Sequence, residues 1–420
     1  MGQLFSKQDF LNTKWFIAEK LTSLLVAIII VPKIFTSLGV LNIGKLKFAE
    51  TFISFFTPLM FLGLSAICIR ELVFYPKRTK LIVATALFLR IASWLLALFI
   101  ILIYTYFFID NNLFTLYLLI CFSYLVRVFD VFEYYFHAIK QTKFVFISKT
   151  LSLVIVLLLQ YYGVKNQFGI EYFASLIILD FLIQNIVYLA IVKAKNIFNF
   201  KDLVLSKSMA VYLLKNSFPL MLSNFIILIY IVTDDFILKY YHGDESYGFY
   251  STIYYLIITL TWSIGFSLIN ALFPSLAESY TTSIREYYQK ISLLTIYMLA
   301  IGIFIVAFYH IFSFTILIEF FDESFFKINN SLKLFSWAPL FIFIGMIFEK
   351  HLILTNHIEK NVYRFTIGCI CNLLLSIILI PKYEISGAVI AVLISHFVVN
   401  IGYILMDTKS RKQLKFLFLK

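Results

Sequence analysis

The sequence is poor in the residues that a water-facing surface needs. Only 14% of its 420 residues are charged and 61% are hydrophobic, whereas a soluble domain averages about 25% charged and about 45–50% apolar residues. Polar groups therefore cannot cover a globular surface, and the solvent of this chain must be largely hydrocarbon. In hydrocarbon, only helices and closed barrels satisfy every backbone donor and acceptor.

Two further absences narrow the fold class. The apolar runs, such as 21–31 and 151–159, are long and lack the alternating polar residues of barrel strands. Cysteine is scarce, and all four cysteines fall inside apolar runs; Cys369 and Cys371, two residues apart, do not share a helix face. We therefore predict an all-α polytopic membrane protein without a disulfide or a metal site.

A helix needs about 20 apolar residues to cross the bilayer core, and the apolar runs predict twelve transmembrane helices. We expect a six-helix lobe over 1–195, a connector over 196–215 with an interfacial amphipathic helix, and a second six-helix lobe over 216–420. The predicted spans are about 11–35, 46–69, 81–109, 113–137, 144–162, 170–192, 216–239, 247–273, 291–312, 329–349, 361–380 and 385–406.

The net charge of +12 follows a membrane pattern and does not indicate a nucleic-acid partner. Lys and Arg lie mainly in the gaps between spans, and the gaps on the N-terminal side carry roughly three times as many as those on the other side. This bias predicts that both termini of the multi-pass chain are cytoplasmic.

One weak motif suggests a nucleotide and fails on inspection. Residues 39–45 satisfy the glycine and lysine positions of a phosphate-binding loop, but Leu46 follows where Ser or Thr would bind magnesium. His242 sits in a polar turn, without a second His or Cys at ligand spacing. We expect no cofactor, and transport that draws on a gradient or on the substrate itself.

The fourth span carries the clearest set of charges at membrane depth. Arg127, Asp130, Glu133 and His137 are spaced by three, three and four residues, which places them on one helix face. Ionisable groups at this depth are expensive and mark a polar cavity or a relay. Two interpretations remain open: Arg127 and Asp130 form a structural pair, or they face a water-filled lumen.

Other polar residues inside spans complete the set of candidates. Lys20 and Arg90 could instead extend to the interface, and Asp180 with Gln184 could join helices. The substrate-binding candidates are Arg127, Arg90, Lys20 and Asn224, and the candidates for ion coupling or a structural pair are Asp130, Glu133, Glu19, Asp180 and Asp234.

These residues predict a chamber of mixed charge in which arginine is prominent. Such a chamber suits an anionic head group such as a diphosphate, which arginine binds in a bidentate manner. A carboxylate within it could bind H⁺ or Na⁺ and couple the transport cycle.

Short motifs follow one another in a fixed order along the chain. They are Asn12 to Lys20, Pro58 to Val73, Phe129 to Ala138, Phe218 to Met221, Gly248 to Ser251, Leu272 to Ser275, and Ile380 to Ala391. In these segments the chain resembles, nearly end to end, the Wzx-type polysaccharide flippases of the multidrug/oligosaccharidyl-lipid/polysaccharide (MOP) exporter superfamily. The position of Val232, two residues before Asp234, departs from the family pattern, which often has an arginine there.

The resemblance implies a MATE-like fold and a function in the bacterial inner membrane. It implies a flippase that moves undecaprenyl-diphosphate-linked O-antigen or capsule units to the periplasmic leaflet by alternating access. Its expected partners are the lipid-linked oligosaccharide, membrane lipids, a polysaccharide polymerase and a chain-length regulator. The alternatives are a cation-coupled multidrug exporter and a lipid II flippase. We expect no enzymatic activity, because the longest gap between spans has no carboxylate pair.

Overall fold

The computed structural model describes residues 7–195, 204–355, 357 and 359–406, with side chains from Ile29 onward except those at 270, 271 and 274. Every regular element in these ranges is a helix, which confirms the predicted all-α class. Nine helical segments among the described residues are long and apolar enough to cross a membrane, or ten if one pair bent by 43° forms a single span.

Two of these segments, Lys207–Ile269 and Glu359–Met406, each cover most or all of two predicted spans, and the count of twelve stays a prediction. Numbered in chain order, α1 covers 7–38, α2 39–74 (as 39–54, Thr57–Phe61 and Leu64–Phe74), α3 Thr79–Phe108, α4 Asn111–Ala138, α5 Thr142–Lys165, α6 Ile170–Ala194, α7 207–242, α8 244–282, α9 Ile284–Phe321, α10 323–354, α11 359–383 and α12 385–406.

Three of the boundaries between helices consist of one residue each, and that residue has a positive φ. The sequence predicted longer gaps at these places. Gly39 has φ 71°, Gly243 has φ 77° and Glu384 has φ 53°. Glycine adopts this conformation freely, but an L-residue such as glutamate rarely does. The carboxylate of Glu384 is held by the Ser246 hydroxyl, which donates to Oε1 at 2.5 Å, and by Lys327 Nζ at 3.7 Å.

The chain divides into two compact units. Unit one contains the described residues up to Leu38 together with Ala49–Phe225, and unit two contains Gly39–Phe48 and the described residues from Ile226 onward. Compared with the predicted lobes, unit one additionally takes the first half of α7, and unit two takes the first ten residues of α2.

The predicted interfacial helix in the connector takes a different form. Residues 196–203 lie outside the described residues, and 204–206 are not helical. Residues 207–215 form the first turns of α7, which continues to Gly243. The polar and apolar alternation that suggested a separate surface helix therefore belongs to the start of a span.

Glycine permits a close approach of two helices in each unit. In unit one, a Cβ on Gly63 of α2 would lie 2.8 Å from the carbonyl oxygen of Ser217 in α7. In unit two, a Cβ on Gly44 of α2 would lie 1.8 Å from the carbonyl oxygen of Asp244. Any larger residue would force backbone apart at both places.

The interior and the surface of the helices are both apolar. Phe132 and Phe136 are buried in unit one, and Phe335 and Phe343 are buried in unit two. Large apolar side chains also cover the outer faces, including Leu95, Leu96 and Phe99 of α3 and Ile303, Phe304 and Ile311 of α9. Continuous exposed apolar surface of this kind is unsuited to water and matches a multi-pass membrane protein.

Candidate functional site

Unit one holds two arginines around one carboxylate. Arg127 Nε lies 3.2 Å from Asp130 Oδ2, and Nη2 of Arg90, from α3, lies 4.0 Å from the same oxygen. We call Arg90, Arg127 and Asp130 the arginine–aspartate cluster. Two guanidinium groups thus share a single carboxylate.

Arg90 is enclosed by protein and is not exposed on the surface of unit one. Its side chain is fully buried, Nη1 donates to the Tyr134 hydroxyl at 3.1 Å, and the guanidinium lies 4.5 Å from the centre of the Phe61 ring. Its Nε and Nη2 have no hydrogen-bond partner within the described part of the chain. The hydrogen-bonding capacity of this buried cation is thus only partly satisfied by the described residues.

Arg127 is surrounded by aromatic rings. Its guanidinium carbon lies 4.7 Å, 5.4 Å and 4.8 Å from the ring centres of Phe61, Tyr124 and Phe181. Ring faces attract a cation, by about 2 kcal/mol or more where water is excluded. Tyr124 lies three residues before Arg127 on α4, a spacing that predicts contact, whereas Phe61 of α2 and Phe181 of α6 meet Arg127 without any spacing that predicts it.

The charged residues of α4 make two separate sets of contacts. Residues Arg127–Asp130 form a 3₁₀ turn, which winds three residues per turn instead of 3.6. Glu133, after this turn, has its own partners: Lys149 Nζ donates to it at 2.9 Å and His137 Nε2 lies 3.3 Å away. Glu133 and Asp130 do not share a partner cation among the described ion pairs.

Asp180 joins α5 to α6. The Ser152 hydroxyl donates to Asp180 Oδ1 at 2.5 Å, and Gln184 Nε2 donates to the same oxygen at 2.9 Å. Both partners are neutral, and Ser152 lies on the neighbouring helix α5, so the geometry favours the interpretation that Asp180 holds two helices together.

Unit two holds a carboxylate with neutral partners only. Asp234 is buried; Tyr250 donates its hydroxyl proton to Oδ2, and Asn372 Nδ2 donates to Oδ1 at 3.2 Å. Ser376 extends the network by donating to Asn372 Oδ1 at 3.0 Å. We call Asp234, Tyr250, Asn372 and Ser376 the aspartate–amide cluster. No described basic side chain pairs with Asp234.

Of the remaining candidates, Asn224 lies outside both clusters. Asn224 is exposed on the half of α7 that belongs to unit one. Glu19 and Lys20 lie on the part of α1 whose side chains are outside the described residues.

Unit one also contains a cavity that the sequence did not predict. Its volume is about 420 Å³, within the roughly 300–1,000 Å³ range of ligand pockets. The available signal was Glu50, an ionisable residue inside the predicted span 46–69. The lining residues are Glu50, Thr51 and Ser54 of α2, Ile120, Ser123 and Tyr124 of α4, and Ile177 and Phe181 of α6.

Two comparisons of the sequence with known proteins agree with each other. The profile of the family described as "Polysaccharide biosynthesis protein" matches residues 11–280, more than half of the chain. Capsular polysaccharide biosynthesis protein CapF of Staphylococcus aureus is 30% identical over 171 residues, which are 40% of this chain and 42% of CapF. The match thus spans less than half of the length of that relative.

Solved structures of MOP-superfamily transporters have the same fold. A multidrug resistance MATE family transporter matches in its inward-facing conformation with a TM-score of 0.67, 14% identity, and coverage of 97% of this chain and 95% of that one. A MOP superfamily transporter from Pyrococcus furiosus matches with a TM-score of 0.63, 15% identity, and coverage of 98% and 95%. Identity this low establishes the fold alone, and it confirms the predicted MATE-like architecture.

Proposed function

We propose a function from one established premise: the chain belongs to the polysaccharide biosynthesis protein family. The proposal is that it is a flippase in a bacterial inner membrane, with both termini cytoplasmic. Its cargo is an undecaprenyl-diphosphate-linked oligosaccharide, an O-antigen or capsule unit, which it moves to the periplasmic leaflet by alternating access. The capsular relative CapF and the transporter fold support this proposal.

The observation that carries the cargo assignment is the net positive charge of the arginine–aspartate cluster. Arg90 and Arg127 approach one oxygen of Asp130 at 4.0 Å and 3.2 Å, so one positive charge is not neutralised within the cluster. Arginine is well suited to a diphosphate because its planar fork donates two parallel hydrogen bonds. A cationic drug would be repelled by the same charge, which disfavours the multidrug exporter.

The aspartate–amide cluster is the proposed site of energy coupling. Asp234 has hydroxyl and amide donors but no described cation partner, so its charge can be matched by a proton or by Na⁺. Asp130 is unsuited to this role, because two arginines already neutralise it. No nucleotide or other cofactor is required by this scheme.

The test is deletion of the gene in a strain that produces surface polysaccharide, with complementation by variants. Deletion should strand lipid-linked repeat units on the cytoplasmic leaflet, and the wild-type gene should restore surface glycan. Arg127→Ala should restore little glycan while reaching the membrane at a normal level. Arg78→Ala is the matched control, because Arg78 is exposed at the start of α3 and outside the cluster.

Unchanged surface polysaccharide in the deletion strain would contradict the proposal. Loss of resistance to organic cations in place of a glycan defect would identify a multidrug exporter instead. An accumulation of peptidoglycan precursor would identify a lipid II flippase.

A further inference from the structure

One aromatic ring is shared by both cations of the arginine–aspartate cluster. The guanidinium carbons of Arg90 and Arg127 lie 4.5 Å and 4.7 Å from the centre of the Phe61 ring, within the roughly 6 Å reach of a cation–ring attraction. The other described rings near them each contact one arginine alone. Among the described cation–ring contacts of the cluster, Phe61 is therefore the one that its two guanidinium groups have in common.

Two like charges so close together need a partner that offsets their repulsion. Both guanidinium groups approach Asp130 Oδ2, Arg127 through Nε at 3.2 Å and Arg90 through Nη2 at 4.0 Å. The longer of these separations exceeds the length of a hydrogen bond, so the carboxylate holds Arg90 only loosely. The negative face of a ring attracts both cations without using any of their N–H donors.

The backbone of α2 is broken on both sides of Phe61. After helix 39–54 comes the short helix Thr57–Phe61, and the next two residues are left-handed, Leu62 with φ 54° and Gly63 with φ 63°. A leucine rarely adopts this conformation, and such an outlier persists only where the surrounding structure holds it. The break sets the direction of the Phe61 side chain relative to the regular parts of α2.

Contacts with two neighbouring helices hold the segment around Phe61 in place. The Ser93 hydroxyl of α3 donates to the backbone carbonyl of Met60 at 3.0 Å. Gly63 packs against α7 so closely that a Cβ there would lie 2.8 Å from the backbone nitrogen of Met221. Residues 60–63 are thus fixed against α3 and α7, while the Phe61 ring contacts the arginines.

We propose that Phe61 is a positioning residue for the head-group site: its ring holds the Arg90 and Arg127 guanidinium groups side by side. The inference rests on the proposed function and deepens it. Of the two arginine side chains, 28% of Arg127 is exposed and 0% of Arg90. A diphosphate therefore meets Arg127, with the charge of Arg90 close by. Holding the cations together in advance avoids the cost of assembling them when the anion binds.

The experiment varies the electrostatics of the ring at nearly constant shape. Phenylalanines that carry one, two or three ring fluorines replace Phe61 in the full chain, because fluorine draws electron density from the ring face and weakens its attraction for a cation. Binding of isopentenyl diphosphate, a water-soluble isoprenoid diphosphate, is measured by calorimetry in lipid nanodiscs. The affinity should fall with each fluorine, and Phe61→Leu, which removes the ring, should lower it by about tenfold or more.

Phe56 is the matched control on the same helix. Its ring contacts those of Phe52 and Phe55, and in the described part of the chain it is not one of the rings that lie near a cation. The same fluorines at position 56, and Phe56→Leu, should leave the affinity unchanged. The fluorinated proteins should melt close to the wild-type temperature, so they keep the test valid even where a Leu variant does not fold.

The results separate this inference from the proposed function. Wild type that binds the diphosphate no better than the fluorinated and Leu variants at position 61 would refute the role of Phe61 and leave the head-group site intact. An affinity that falls in Phe61→Leu but stays constant across the fluorine series would also overturn the inference, because the ring would then act through packing alone. Wild type that binds no diphosphate would contradict the head-group site itself, and with it both the proposed cargo and this inference.

Discussion

The two units bury an aspartate in opposite ways. Asp130 of unit one lies against two arginines, at 3.2 Å and 4.0 Å, whereas Asp234 of unit two accepts hydrogen bonds only from Tyr250 and Asn372 in the network described. The first carboxylate is matched permanently by charge. The second is matched by dipoles, so that its charge can be lost or neutralised by an added cation without leaving a buried charge unpaired.

The role of a buried carboxylate therefore depends on its partners and not on its position alone. A carboxylate held by fixed cations stays charged, because protonating it would leave those cations buried without a partner. A charge held by neutral donors is able to change state. Substitutions at the two aspartates should therefore have different consequences for stability and for transport.

The largest expected effect is on the stability of unit one. Asp130→Asn leaves Arg90 and Arg127 without their carboxylate, and removing one partner of a buried ion pair typically costs roughly 3–5 kcal/mol. The variant should unfold at a clearly lower temperature than wild type in detergent micelles. Asp180→Asn is the control, because its partners are neutral. Equal melting temperatures for Asp130→Asn and wild type would show that the cluster is not held by charge.

A smaller loss of stability is expected from the amide of unit two. Asn372→Ala removes one donor to Asp234 and the acceptor of Ser376, and an unsatisfied buried polar group costs about 1–3 kcal/mol. The melting temperature should fall by less than in Asp130→Asn. A larger fall than in Asp130→Asn would reverse the proposed contrast between charge-held and dipole-held carboxylates.

The helix contact at Asp180 should contribute less again. Ser152→Ala removes the hydroxyl that donates to both the carboxylate and the backbone carbonyl of Asp180, and such bonds between membrane helices contribute about 0.6 kcal/mol on average. Ser148→Ala is a matched variant, since the Ser148 hydroxyl donates to a backbone carbonyl alone. Thermal unfolding should rank Ser152→Ala below Ser148→Ala, and the opposite ranking would argue against Asp180 as a helix contact.

The smallest expected change in stability is at Asp234, where the effect should appear in transport. Asp234→Asn keeps the shape of the side chain and an oxygen that accepts from Tyr250, so the melting temperature should stay close to that of wild type. Transport by this variant should no longer respond to an imposed proton or sodium gradient. Gradient-dependent transport that persists in Asp234→Asn would exclude this residue as the coupling site.

The sequence predicted the spans well because hydrophobic length is a local property. It did not predict the kink at Glu384, whose carboxylate contacts Ser246 and Lys327, two residues distant in the chain. The 3₁₀ turn Arg127–Asp130 was not predicted either, because it contains no glycine or proline.

The candidate residues were partly predictable. Arg127 and Asp130 pair as their spacing predicted. The contribution of Arg90 and most of the aromatic contacts of Arg127 depend on how α2, α3, α4 and α6 pack. Glu50 was visible as an ionisable residue in a span, but its place in a cavity depends on side chains from three helices. Contacts between distant segments leave no signature in a single sequence.

The proposed function requires a cationic cluster within the membrane to accept the anionic head group of a lipid-linked glycan. The most direct test is translocation by purified protein in proteoliposomes, comparing a diphosphate-linked oligosaccharide with tetraphenylphosphonium in the same vesicles. Wild type should move the glycan lipid and not the cation, and Arg127→Ala should move the glycan lipid much more slowly. Uptake of the cation by wild type, with no movement of the glycan lipid, would contradict the account.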